Sequence, residues 1–300
     1  MNRIGARLRG DTSADAIPVL LVLAYLFVFA ALPMLYAVAL SLQKVDMFTL
    51  GSLAHPFVGL KNYVRVLSMP AAGRVAKNTA EFVSLAVALQ VIIGLALAIF
   101  FQQSFPGAST IRGLFLAGWV MPALVVGAIW RWLLAGDFGV INYVMACMGI
   151  TRGAIFWISD PHVALYSLVI VDVWIGIPFS MLWLSVGLAA VPVELYEAAA
   201  LDGAGALRRL LFVTLPMMRG TLGAVLSLTT LFTMQQYDLV AALTQGGPSN
   251  ASNVAQYWSW QLGFEAYDIS GGSAVAVLTI AVIIPVAIIF VRSTRLERQS

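Results

Sequence analysis

The chain is poor in the residues with which most enzymes do chemistry. Its 300 residues include one cysteine, Cys147, and two histidines, His55 and His162. A single cysteine excludes an internal disulfide and any cysteine-built metal cluster. The histidines lie far apart without HExxH-type spacing, so neither a metal centre nor a catalytic site is expected. Charged residues make up only 10%, and no Walker A sequence occurs, so the chain does not hydrolyse ATP by itself.

What is present is apolar. Hydrophobic residues reach 61% and the mean hydropathy is +0.91, far outside the soluble globular range. A soluble chain of this length has nowhere to hide so much apolar surface, so the bilayer is its solvent. The isoelectric point near 9.1 does not point to nucleic acid, because the basic residues are scattered and sit beside apolar runs.

The apolar runs predict an all-α polytopic protein with about six transmembrane helices, one domain over residues 1–300. The runs are Ile17–Leu40, Thr79–Phe101, Leu114–Ala135, Val163–Ala189, Met217–Leu243 and Ser273–Val291. Each is long enough to cross roughly 30 Å of hydrocarbon at about 1.5 Å per residue. The first is too long for a signal-peptide core and more spans follow it, so it reads as an uncleaved helix. Leu60–Leu67 is predicted to form a short interfacial helix. Trp119, Trp130 and Trp132 fall toward the ends of the third run, where interfacial anchoring is expected. Pro122, Pro178 and Pro285 are expected to kink their helices.

Lysine and arginine placement sets the orientation. With both ends cytoplasmic (residues 1–16 and 292–300), ten cationic residues lie inside and six outside, while Arg131 lies within a span. That is a positive-inside bias.

Residues 190–216 form the only long internal segment combining small residues, acids and a basic pair. Pro192 suits a first helical position, and Glu194 and Glu197 complement the positive end of a helix dipole. Ala198–Leu201 continue the helix and Asp202–Gly203 stop it. Ala204–Phe212, with Arg208 and Arg209, is predicted to form a second short helix before Leu215–Pro216.

Glu197-Ala198-Ala199, Asp202-Gly203-Ala204, Val213 and Leu215-Pro216 resemble, without a gap, the EAA loop of the membrane permease subunits of bacterial ABC importers. Leu207 and Leu210 stand where many relatives carry aromatics. Ile129–Leu133 with Asp137-Phe138-Gly139, then Trp174, Pro178-Phe179 and Leu243-Thr244 with Gly246-Gly247-Pro248, resemble the carbohydrate branch, in particular its maltose-type first permease. The resemblance implies a bacterial inner-membrane location and a second, related permease. It also implies a cytoplasmic ATPase dimer, which binds the ATP and Mg, and an extracytoplasmic solute-binding protein. This chain would hold no cofactor. Glu197, Ala198, Ala199, Asp202, Gly203, Ala204, Arg208, Leu215 and Pro216 would couple it to the ATPase.

Polar groups within the spans are candidates for the solute path, because an ionisable side chain at mid-bilayer costs about 2.5–3.5 kcal/mol on insertion scales. Asp172 is one such group, with Gly176 a turn further on. Thr229, Thr233 and Gln236 fall at i, i+4 and i+7 on one helical face, bordered by Phe232. Hydroxyl, amide and carboxylate groups beside aromatics suit a polyhydroxylated solute. The same positions resemble the sugar-lining ones of maltose-type permeases, with Asp172 where an amide is expected. A carboxylate favours an amino sugar or cation and repels phosphate, so the solute's charge stays open. The competing reading is that these groups only hydrogen-bond across helices, at about 0.6 kcal/mol each on average. Gln90 has no role at this level.

Other classes fit less well. A secondary transporter predicts repeat symmetry and charge pairs along the spans, and an intramembrane enzyme predicts a metal triad or nucleophile–base pair; neither is found in the sequence. Importers of polyols, glycerophosphodiesters, amino acids or phosphate share the loop, and the Gly-Gly-Pro turn argues for sugar over amino acids and phosphate.

Overall fold

The computed structural model describes residues 12–52, 54–103 and 105–297. Arg3, Arg7, Arg9 and Arg298 lie outside the described residues. Among those described, the chain is helical with no strands; the only extended pairing is an isolated bridge between Gln43 and Phe57.

The first helical run begins with α1 (Thr12–Leu26), passes through a π turn at Phe27–Ala31 and continues as α2 (Leu32–Ser41). Then come the short α3 (Lys61–Leu67) and the long α4 (Ala72–Phe100). Next are α5 (Ala108–Trp119), α6 (Ala123–Leu133), α7 (Val140–Cys147) and the long α8 (Ala164–Ala189). α9 (Val193–Leu201), α10 (Ala206–Arg209) and α11 (Leu215–Met217) form the predicted loop region, followed by α12 (Arg219–Met234). α13 (Asp238–Leu243), α14 (Ala255–Trp260) and α15 (Ile269–Glu297) complete the chain.

Four helices are long and apolar enough to cross a membrane: Pro18–Ser41, α4, α8 and Ile269–Ile288. The six-span expectation holds only when two bent pairs are each counted as one span. The third run is not one rod: α5 and α6 meet at 98°. Pro122 caps α6 with an extended ψ of 133°, and its missing N–H and ring cannot continue the preceding helix. The fifth run is also interrupted. The segment 206–217 meets α12 at 77° across Met218, and α12 ends at Met234, so Gln235, Gln236 and Tyr237 leave the helix before α13. Pro178 and Pro285, by contrast, lie inside continuous helices.

The α4–α8 pair is the spine. Small residues bring the backbones together: a Cβ on Gly94 would lie 2.6 Å from the Ser180 Cβ, the kind of close approach that drives helix association in lipid. α12 packs against both helices, α15 packs on α12, and α2 lies along α15. Phe82, Leu168 and Val171 of the spine pack with Leu239 and Leu243 of α13 and with Tyr257 of α14. A second cluster, Met181, Leu184 and Leu188 with Met218 and Val225, joins α8 to α12. α3 is tied to the residue before α15 by Arg65, which places two N–H groups on the Asp268 carboxylate at 2.6 and 2.9 Å.

Candidate functional site

The predicted path residues come together around one cavity of about 170 Å³, lined from α4, α5, α8, α12 and the residues just after α12. Asp172, on α8, is 3% exposed. Three side chains from two other segments donate to it. Gln90 Nε2 of α4 reaches Oδ2 at 2.8 Å and the Asp172 backbone carbonyl at 3.0 Å. Thr233 Oγ1 donates to Oδ2 at 3.3 Å, and Gln236 Nε2 to Oδ1 at 2.9 Å. Gln236 gains this reach because α12 has already ended; its backbone no longer follows the helical stripe on which the sequence placed it.

Thr229 is buried, and its hydroxyl donates to the Val225 carbonyl of its own helix at 2.6 Å. Gly176 lines the cavity, but its lack of a side chain serves a neighbour: a Cβ there would lie 2.3 Å from the Gln90 side-chain carbon. Gln90 thus has a function that the sequence left blank. A single amide in the apolar part of α4 beyond Glu81 was the only signal for it.

Aromatic side chains complete the lining. Phe232, Phe179 and Trp119 line the cavity, with Phe179 at 5.4 Å from Phe232 and 5.7 Å from Trp119, centroid to centroid. Trp119, expected from the sequence as an interfacial anchor, lines the cavity and packs on Phe179 of α8 after the break that ends α5. Trp130 likewise packs edge-on against Trp174 at 5.9 Å. The polar residues do both things at once: Gln90, Asp172, Thr233 and Gln236 hydrogen-bond across helices and line the cavity. Nowhere among the described residues do three or more His, Cys, Asp or Glu side chains gather as a metal site.

The second candidate site is the loop. Pro192 is the cap of α9 rather than its first residue, with ψ 135°. α9 closes with a Schellman turn: Gly203 N–H donates to the Ala200 carbonyl at 3.0 Å and Ala204 N–H to the Ala199 carbonyl at 2.9 Å. Gly203 takes φ +76° there, the left-handed conformation that glycine adopts without a Cβ penalty. The second helix starts later and runs longer than predicted, from Ala206 through a π turn at Leu210–Thr214 to Met217. Tyr196 and Thr214 join the two limbs through their hydroxyls at 3.1 Å. Glu197, Ala198, Asp202, Gly203, Arg208 and Pro216 are exposed, and Ala199, Ala204 and Leu215 are half-buried. Leu201, 91% exposed, and Phe212, also exposed, are large apolar side chains of this loop that sequence reasoning missed. Phe212 is also an aromatic on the limb where Leu207 and Leu210 stand in place of others.

Fold and sites together define the class: a helical protein with several membrane-length apolar helices, an internal cavity lined by polar and aromatic side chains, and an exposed turn at Gly203. Residues 90–298 match the family described as binding-protein-dependent transport system inner membrane component, and the chain belongs to that family. It is 31% identical over 283 residues to the trehalose/maltose transport system permease protein MalF of Thermococcus litoralis, with 93% of each chain covered. It is 29% identical over 295 residues to the diacetylchitobiose uptake system permease protein DasB of Streptomyces coelicolor, covering 96% of this chain and 90% of that one. In fold it resembles a chain of a bacterial ABC transporter involved in the import of the acidic polysaccharide alginate, with a TM-score of 0.75 at 15% identity over 95% of each chain.

Proposed function

We propose that this permease forms half of the translocation pathway of an ATP-driven, binding-protein-dependent importer for a sugar. The observation that carries the reading is one cavity lined both by carboxylate, amide and hydroxyl groups and by the rings of Trp119, Phe179 and Phe232. Sugar hydroxyls need directional partners and sugar C–H faces stack on rings. The named sugar permeases among its relatives support the same solute class.

In this reading a second, related permease completes the pathway and a binding protein delivers the solute from outside. Two cytoplasmic ATPase subunits hold the ATP and Mg, and both chain ends and the 190–216 loop face the cytoplasm. The Gly203 turn, with the exposed Leu201 just before it, seats in a groove of the ATPase. Closure of the ATPase dimer then moves α9 and α10 and turns the bundle from inward- to outward-facing, a coupling that requires two global states with different contacts.

Purification of the tagged chain from native membranes in mild detergent tests the assembly. A second permease and a soluble ATPase should accompany it, and the ATPase rate should rise when the loaded binding protein is added. Gly203→Asp, which sets a negative charge at the docking turn, should abolish uptake while the protein still reaches the membrane. Normal uptake by that variant, or repeated recovery of the chain alone, would overturn the coupling role.

A further inference from the structure

The polar wall of the cavity has spent nearly all its donors on itself. Both amide hydrogens of Gln90 go to Asp172, on its carboxylate and its backbone carbonyl. The Thr233 hydroxyl and one amide hydrogen of Gln236 go to the same carboxylate. The Thr229 hydroxyl is turned back onto its own helix. What remains for a solute is the second amide hydrogen of Gln236 and the Trp119 indole N–H. Against these stand the unused lone pairs of two amide carbonyls, two hydroxyls and the carboxylate itself. No lysine, arginine or histidine lines the cavity, and every side-chain contact to Asp172 is one in which its oxygens accept, as an ionised carboxylate must.

We propose that this acceptor-rich wall, centred on Asp172, is a charge filter: it passes neutral and amine-bearing sugars and rejects sugars carrying a carboxylate, sulfate or phosphate. A neutral sugar offers hydroxyl hydrogens to the free lone pairs, and an ammonium group offers both hydrogens and opposite charge. An anionic group brings only acceptors, meets acceptors, and is repelled by a buried charge in a medium less screening than water. The inference rests on the reading of the cavity as a sugar path and adds the solute's charge class to it. Gln90 is a positioning residue here: it acts by holding the carboxylate, and Gly176 makes room for it.

The test is displacement of a tritiated neutral disaccharide from the purified permease–ATPase complex, with the binding protein omitted so that its own selectivity does not enter. The competitors are the unlabelled disaccharide, its analogue with one hydroxyl replaced by an amine, and its analogue with one hydroxymethyl oxidised to a carboxylate. The amine should compete at least as well as the neutral sugar, and the carboxylate about tenfold or more less well. Asp172→Asn should close that gap by about tenfold, read as the ratio of carboxylate to neutral-sugar competition within the same variant. If Asp172→Asn does not assemble, Gln236→Lys, which sets a cation beside the carboxylate, should close the gap in the same direction.

A gap that neither variant alters overturns the filter. Phe232→Ala separates the two levels of the argument. If it weakens all three competitors alike while the gap ignores Asp172, the sugar path stands and the filter falls. If the tritiated sugar does not bind the wild-type complex and Phe232→Ala leaves uptake unchanged, both fall.

Discussion

Gly176 and Gln90 make one unit, and single substitutions should show it. Gly176→Ala places a methyl group within 2.3 Å of the Gln90 side chain, and in a close-packed interface such overpacking costs about 1–3 kcal/mol. Thermal unfolding of the purified complex should fall for Gly176→Ala and recover in part for Gly176→Ala with Gln90→Ala, because the double variant removes the clash. A fall of equal size in both would mean that the glycine serves something other than Gln90. At this scale the sequence was legible where a residue is costly in lipid. Asp172, Thr233 and Gln236 stood out as polar groups in apolar runs, and the structure joins them. Gln90 and Trp119 were not legible. The partner of one lies on a helix some eighty positions along the chain, and the direction of the other depends on a bend that hydropathy does not encode.

Helix α9 ends where its geometry demands glycine, and that turn is the part of the loop most open to a quantitative check. At φ +76° a branched side chain pays about 1–2 kcal/mol of backbone strain, whereas asparagine visits this region readily. Space is not the limit, since a Cβ at Gly203 would meet no atom within 4 Å. Gly203→Asn should therefore keep most uptake and Gly203→Val should lose much of it at equal amounts in the membrane. Equal loss in both would mean that the ATPase groove rejects any side chain, and that docking rather than conformation fixes the residue. The helix–turn–helix itself was readable from Ala, Asp-Gly and Pro signals. Its register was not: the second helix starts at Ala206, because Gly205 is extended with ψ 169° and acts as the cap. Run lengths likewise gave six spans; Pro122 signalled a kink in the third, but neither its 98° size nor the 77° turn in the fifth could be read from them.

Across the whole molecule, the first helical run is joined to the rest chiefly through the last. α2 packs along α15, and in the most apolar window of Pro18–Ser41 no residue is buried. The join is completed by Ser270, 2% exposed, which receives the Val45 N–H at 2.7 Å and donates to the Gln43 carbonyl at 2.7 Å. Tyr267 accepts the Met47 N–H at 3.0 Å. Ser270→Ala leaves the Val45 N–H without its acceptor, while the Gln43 carbonyl keeps the Asn62 amide at 2.7 Å; that loss of about 1–3 kcal/mol should lower the unfolding temperature of the complex, and an unchanged temperature would show that α2 packing and the remaining backbone bonds hold the seam. Because more than two hundred positions separate α2 from α15, the seam cannot close until α15 has been made. At about 5–20 residues per second, α2 waits on the order of ten seconds or more for the helix that seats it. Through that interval lipid is its neighbour, which gives a physical reason for a face so uniformly apolar: it must be at home in the membrane before it has a protein to belong to.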